Sequence, residues 1–135
     1  MRHLLILRPE PGASETLARA GELGLDAVSV PLFELESIDW ELPDPRAFDG
    51  LLLTSANAVR FAGDRLEELK WLPAYAVGEA TAEAARSAGL NVIAAGDSGV
   101  DALLASIDPR LRLLHLAGED RKVPGARHKV APITV

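Results

Sequence analysis

Short apolar runs alternate along this chain with longer alanine-rich stretches, in which apolar residues recur at helical spacing. A short apolar run bounded by Gly, Pro or Asn is typical of a buried strand, whereas the alanine-rich stretches favour helices. Alternation of the two indicates a parallel sheet with helices on its faces. We therefore predict an α/β fold. The predicted strands comprise residues 4–7, 25–31, 50–55, 74–77, 91–95, 112–116 and 130–135.

Capping residues mark the ends of three predicted helices. Ser14 and Ser55 stand where a side-chain oxygen can accept an amide of the first helical turn. Gly24 and Gly89 stand where a chain leaving a helix takes the left-handed conformation. These signals predict helices over residues 14–23, 56–63 and 79–88.

A fourth helix is predicted by a capping pattern and an apolar stripe. Asp101 follows Ser98 by three residues, which approximates a capping box, and Pro109 ends the helix. The apolar stripe consists of Val100, Leu103, Leu104 and Ile107.

The segment between the second and third predicted strands has the composition of a linker. Residues 32–37 are expected to be extended, and residues 38–49 contain Pro43, Pro45, several acids and Trp40. This mixture favours a surface loop, so we predict a change of domain between Pro31 and Trp40. The predicted domains are residues 1–31 and 32–135.

Composition and charge narrow the classes of function. The chain carries 20 acidic and 14 basic residues, which give a net charge of −6. A negative charge of this size repels nucleic-acid phosphates. The chain has no cysteine. No stretch approaches the roughly 20 apolar residues that a membrane span needs. His3, His115 and His128 lack metal-ligand spacing. We expect a cytoplasmic protein that contacts neither nucleic acid nor membrane and has no metal site.

Polar turns follow several of the predicted strands. In an open α/β sheet the ligand crevice lies beyond the carboxyl ends of the strands, so these turns are expected to converge there. Hydroxyls and free helix amides at that edge can bind carboxylates. Each residue also has a purely structural interpretation: a helix cap for Ser55, a local backbone bond for Thr81 and a surface ion pair for Arg8. The turns are residues 8–9, 54–57, 78–81 and 118–121.

Five segments of the chain together form a recognisable pattern: 5–9 (LILRP), 30–34 (VPLFE), 53–59 (LTSANAV), 75–82 (YAVGEATA) and 114–121 (LHLAGEDR). In their order and spacing, these segments resemble the uroporphyrinogen-III synthases of tetrapyrrole biosynthesis. The resemblance implies two flavodoxin-like parallel α/β domains, the second inserted into the first. It also implies that linear hydroxymethylbilane loses water and closes into uroporphyrinogen III with inversion of its last pyrrole ring, without metal or organic cofactor.

The resemblance assigns substrate-binding roles to four residues. Thr54 and Ser55 form its Thr-Ser turn and Thr81 belongs to its Val-Gly-x-x-Thr turn, and all three would bind carboxylates of the substrate in a cleft between the domains. Arg8 would line the same cleft. No catalytic residue is assigned.

Two features depart from the family pattern. Leu7 stands where Thr usually precedes the Arg-Pro pair, and the tyrosine associated with departure of the substrate hydroxyl would follow Val135. The family is also roughly twice this length, as expected for two domains. We therefore expect an N-terminal part of such an enzyme, whose incomplete first domain is less stable or associates with another copy.

Two other functions stay open on the sequence. One is a non-catalytic module of the same fold that binds a tetrapyrrole or another carboxylate. The other is a receiver-like signalling domain, which is disfavoured because no acidic pair follows the first strand to hold magnesium.

Overall fold

The computed structural model describes residues 3–32, 35, 39–117 and, for the backbone alone, 129–134. The chain divides into two compact units, Met1–Glu36 and Ser37–Val135. The predicted extended segment 32–37 lies mostly outside the described residues, as does the predicted turn 118–121. The boundary between the units falls inside the predicted linker, and their assignment to a first and an inserted domain stays a prediction.

Unit 1 is a β-α-β fragment. Strands β1 (Leu4–Ile6) and β2 (Ala27–Ser29) flank helix α1 (Gly12–Glu22) and pair in parallel. Gly24 has a φ of 71°, which confirms the predicted left-handed residue after α1. Apolar side chains on this unit are unusually exposed for a folded protein; they are Leu4, Leu5, Leu7, Leu17, Leu23, Leu25, Val28, Val30 and Leu32.

The predicted cap at Ser14 is wrong. Helix α1 begins two residues earlier, at Gly12, with Pro11 in the capping position. The Ser14 amide donates to Glu10 Oε2 at 3.1 Å, and the Ser14 hydroxyl donates to Glu10 Oε1 at 2.8 Å. The Glu10 carboxylate, which precedes the helix, therefore accepts the first-turn hydrogen bond that was expected at Ser14. Its negative charge also interacts favourably with the positive end of the helix dipole.

Unit 2 is built on one parallel sheet. Its strands are β3 (Gly50–Leu53), β4 (Pro73–Val77), β5 (Asn91–Gly96), β6 (Arg112–Ala117) and β7 (Lys129–Thr134). Helix α2 (Ala56–Phe61) and a 3-10 helix (Gly63–Leu69) connect β3 to β4. Helix α3 (Glu79–Ser87) connects β4 to β5, and α4 (Val100–Ala105) connects β5 to β6. A short 3-10 helix (Pro45–Ala47) precedes β3.

The strand order in space is β5-β4-β3-β6-β7, with every neighbouring pair parallel. The chain therefore moves outward from β3 through β4 to β5 and then crosses back to the other side of β3. Counted within unit 2, this is the order 3-2-1-4-5, whereas flavodoxin has 2-1-3-4-5. The predicted parallel α/β sheet is confirmed, and the flavodoxin resemblance holds for the architecture but not for the strand order.

Two apolar cores cover opposite faces of the sheet, as predicted for helices on both faces. Alternate residues of a strand point to opposite faces. Leu51 and Leu53 of β3 pack with α2 and α3, whereas Leu52 packs with α4. This arrangement follows from the topology. Helices α2 and α3 connect β3 to β4 and β4 to β5 on one side of β3, whereas α4 connects β5 back to β6 on the other side.

Two local predictions in unit 2 are corrected by its packing. Trp40, expected in a surface loop, is buried in the core, and its Nε1 donates to the carbonyl of Ala62 at 2.9 Å. The expected capping box is absent, because α4 starts after Gly99 (φ 97°) with no side-chain cap. Its predicted apolar stripe is confirmed, since all four residues are buried.

Other predictions for unit 2 are confirmed at the helix ends. Ser55 caps α2, accepting the amide of Ala58 at 3.4 Å. Gly89 follows α3 with a φ of 84°. Among the described residues, no helix is long and apolar enough to cross a membrane.

The amino ends of the central strands are joined by one ion pair. Asp49 Oδ2 accepts from the Arg112 backbone amide at 2.8 Å and from Arg112 Nε at 3.2 Å, while the Asp49 amide donates to the Arg112 carbonyl at 2.8 Å. The Arg112 side chain holds the pKa of the Asp49 carboxyl below its usual 3.8.

We predict that Asp49→Asn destabilises the protein at neutral pH. The lowered pKa means that the carboxylate stabilises the fold fully above pH 3.8 and loses that effect as the pH falls through the folded-state value. The difference in free energy of unfolding between wild type and variant, measured by denaturant titration, should therefore shrink as the medium becomes acidic. Asp97→Asn, which removes the same charge from the loop after β5, is the control. A difference that stays constant with pH would contradict the prediction.

Candidate functional site

Thr54 and Ser55 lie at the place where the strand order of unit 2 reverses. They directly follow β3, whose neighbours β4 and β6 are reached by crossovers in opposite directions. In open α/β sheets, loops at such a switch point separate and leave a crevice at the carboxyl ends of the strands. Both residues are partly buried. The sequence-predicted Thr-Ser turn therefore occupies the point in this sheet that is best suited to a ligand.

Thr54 contacts a buried histidine that the sequence analysis did not select. Thr54 Oγ1 lies 2.8 Å from His115 Nε2, and His115 is 0% exposed. His115 belongs to β6, where it pairs with Leu52 of β3. The two residues are 61 positions apart. The contact between Thr54 and His115 depends on the pairing of β3 with β6. The sequence alone therefore contains no signal that predicts it.

Ser55 has a structural role that leaves its proton available. Its oxygen accepts the Ala58 amide, so the capping interpretation is confirmed. A hydroxyl has one donor in addition to its acceptor lone pairs. The O–H of Ser55 can therefore donate to a carboxylate while its oxygen still caps α2.

Thr81 follows the adjacent strand, β4, and is more deeply buried. It lies in the first turn of α3 and is 5% exposed. The turn before it is fixed by Gly78, whose φ is 86° and whose amide donates to the Gly96 carbonyl at 2.6 Å. A non-glycine residue would be strained at that φ. Because its side chain is buried, Thr81 can meet a ligand only if the first turn of α3 opens onto the crevice, and its binding role stays a prediction.

Arg8 belongs to unit 1, whereas the three hydroxyl residues belong to unit 2. Its Nη1 donates to Thr16 Oγ1 at 3.0 Å. The guanidinium packs over Gly12, the first residue of α1, where a Cβ atom would overlap it. Arg8 is thus held at the N-terminal end of α1, and its convergence with the other three residues stays a prediction.

The single tyrosine of the chain lies on the same face of the sheet as His115, but its ring leans toward the opposite end of β3. The ring of Tyr75 lies against Gly50 at the amino end of β3, on the face covered by α4. Burial raises the pKa of its hydroxyl above the usual 10.0. Tyr75 is therefore neutral at physiological pH and is positioned as a core residue.

The described part of the chain holds no cluster of three or more residues suited to a metal ion. His3 Nδ1 lies 2.7 Å from Asp26 Oδ2 on the surface of unit 1. His115 is in the sheet of unit 2, and His128 lies outside the described residues.

Comparison with known proteins identifies the family. A sequence model described as uroporphyrinogen-III synthase HemD matches residues 14–123. The chain belongs to the uroporphyrinogen-III synthase family. The match includes the Thr54–Ser55 turn, Thr81 and His115, whereas Arg8 precedes it.

Individual family members are similar over part of their length. The uroporphyrinogen-III synthase of Chlorobaculum parvum is 30% identical over 101 residues, covering 68% of this chain and 41% of that protein. A putative uroporphyrinogen-III synthase of Archaeoglobus fulgidus is 39% identical over 80 residues, covering 59% of this chain and 33% of that protein. This chain therefore spans about two fifths of the first relative and one third of the second.

A solved structure supports the fold. Uroporphyrinogen III synthase of Thermus thermophilus aligns with 99% of this chain and 62% of its own, at a TM-score of 0.50 and 21% sequence identity. At that identity the likeness concerns the α/β fold, which agrees with the predicted fold class.

We predict that Gly12→Ala displaces the Arg8 guanidinium, because the new methyl group occupies its place. The stability of α1 should not fall, since Ala favours helix over Gly by up to about 1 kcal/mol. NMR of the Arg8 Nε signal and thermal melting measure the two effects. Gly21→Ala, on the open side of α1, is the matched control. An unchanged Arg8 signal in Gly12→Ala would refute the packing described.

Proposed function

We propose that this chain takes part in the cyclisation of hydroxymethylbilane to uroporphyrinogen III, a cytoplasmic step of tetrapyrrole biosynthesis. The observation that carries the proposal is the Thr-Ser turn at the switch point of the sheet in a member of this family. The substrate is an octa-carboxylated, flexible chain. Hydroxyl donors at the carboxyl ends of parallel strands suit its carboxylates.

Positioning explains how such a site acts without a metal or an organic cofactor. Ring closure needs the two ends of the linear substrate to meet in the correct orientation, and fixing that geometry removes an entropic barrier. Thr54, Ser55 and Thr81 would hold carboxylates through O–H donors, and Arg8 would add a charge-assisted bond. Water leaves the hydroxymethyl end, and the site stabilises the cation that develops there.

A second candidate is a module that binds the tetrapyrrole without turning it over. It needs only the Thr-Ser turn at the switch point, whose hydroxyls can hold a carboxylate whether or not ring closure is directed. The two candidates share the carboxylate site and differ in whether the chain directs ring inversion.

The isomer ratio separates these candidates. Freshly generated hydroxymethylbilane closes spontaneously to the type I isomer alone, so type III above background requires catalysis. We expect uroporphyrin III to bind, measured by fluorescence, and type III product to form. Binding with type I product alone would support the module, and the absence of both would exclude both candidates.

Removal of the Thr54 hydroxyl tests the site itself. Thr54→Val keeps the shape and removes the donor, and we expect about tenfold weaker binding of uroporphyrin III, the size of one lost hydrogen bond to a charged group. Ser87→Ala removes an exposed hydroxyl at the far end of α3 and serves as control. Equal affinities of the two variants would contradict the proposed site.

We also propose that unit 1 buries its exposed apolar face against a second copy of the chain. Leu5 and Val28 are paired across β1 and β2 and are 57% and 49% exposed. A two-stranded sheet is marginally stable by itself, and both strands present open edges. Apolar exposure of this extent is typical of an association surface.

Sedimentation equilibrium tests this association. We expect a concentration-dependent dimer that Leu5→Lys converts to monomer, because a charge would then be buried in the interface. Ile93→Lys, which alters a residue of unit 2 that is 52% exposed, should leave the dimer intact. A wild-type monomer at every concentration, with unit 1 amides as protected from hydrogen exchange as those of unit 2, would overturn the proposal.

A further inference from the structure

His115 is a buried polar side chain, and packing of the sheet does not require a polar residue at its position. It is 0% exposed, and its strand neighbours Leu114 and Leu116 are apolar core residues. Burying an imidazole costs free energy unless its polar atoms are hydrogen-bonded. A leucine would continue the apolar pattern of β6 without that cost. The histidine therefore needs another explanation, and its contact with Thr54 supplies one.

The contact crosses the switch point. Leu52 of β3 is the register partner of His115, and Thr54 comes two residues after Leu52, just beyond the end of β3, so that both polar side chains lie on one face of the sheet. Thr54 Oγ1 and His115 Nε2 are 2.8 Å apart, a good hydrogen-bond distance. The bond therefore restricts the rotamer of the Thr54 hydroxyl at the carboxyl end of β3.

The direction of this hydrogen bond decides what Thr54 can offer a ligand. A threonine hydroxyl has one proton and two lone pairs, and an ionised carboxylate only accepts. If Thr54 donated to His115, it would have no proton left for a carboxylate. If His115 Nε2–H donates to Thr54 Oγ1, the Thr54 proton is free to point into the crevice.

We propose that His115 is a positioning residue, which donates from Nε2 to Thr54 and thereby orients the Thr54 O–H toward a substrate carboxylate. This inference rests on the proposed function, because it takes Thr54 as a carboxylate donor. It adds a specificity: with this bond direction Thr54 presents a donor, which suits an ionised carboxylate and cannot pair with a ligand group that only donates, such as an ammonium.

A double-mutant cycle tests the role through the affinity for uroporphyrin III. His115→Leu should weaken binding by roughly three- to tenfold, less than or equal to the effect of Thr54→Val. His115→Gln should restore near wild-type affinity, since its amide reaches a similar position and can donate. In the Thr54→Val background, His115→Leu should cause no further loss, because the group that it orients is gone.

A purely structural histidine gives a different pattern. Its replacement would weaken binding equally with and without the Thr54 hydroxyl, and the loss would follow the thermal stability of the variants. Additive effects in the cycle would therefore overturn the inference. If the wild-type chain does not bind uroporphyrin III, the proposed function fails. If wild type binds and His115→Leu binds equally well, only the positioning role of His115 fails.

The tautomer of His115 gives a test that needs no ligand. Nitrogen-15 NMR distinguishes a protonated ring nitrogen from an unprotonated one. We expect Nε2 of His115 to carry the proton in the wild-type chain. The nitrogen-15 shift of Nε2 should change in Thr54→Val, because the hydrogen bond to Thr54 is lost. An unprotonated Nε2 would mean that Thr54 donates to the histidine, and the inference would be wrong whatever the binding data show.

Discussion

The parallel pairing of β3 with both β4 and β6 is the constraint on which the rest of unit 2 depends. Because all strands run in one direction, every carboxyl end lies at one edge of the sheet. Because the chain leaves β3 toward β4 and later returns to its other side, helices cover both faces and the loops separate above β3. The topology thus places the Thr-Ser turn at the switch point of the sheet, and the helix cap of Ser55 holds it there.

Burial differs sharply between the two units. The central strand of unit 2 has leucines buried on both faces, whereas unit 1 pairs only two short strands and leaves most of its large apolar side chains exposed. Hydrophobic burial is the dominant favourable term in folding, so unit 2 has the elements of an independent core and unit 1 does not. The proposed second copy would supply the cover that unit 1 lacks.

Sequence patterns predicted the elements of this fold better than their arrangement. Apolar runs located the strands, and Gly24, Ser55 and Gly89 located three helix ends, since these signals are local. Strand order was not accessible, because it depends on which crossovers pack on which face. The same limit applies to the site: the Thr54 turn is a local signal, whereas its bond to His115 needs the register of two strands distant in sequence. Trp40 was misjudged because prolines nearby indicated a loop, although the indole itself packs in the core.

NMR titration of the labelled chain with uroporphyrin III decides whether the carboxyl ends of β3 and β6 form the proposed carboxylate-binding site. We expect amide shifts to concentrate at Thr54 and Ser55 and at the end of β6. Amides at the opposite edge, such as Asp49 and Asn91, should stay unchanged. Shifts centred on that opposite edge, or no saturable shifts at all, would contradict the proposed site.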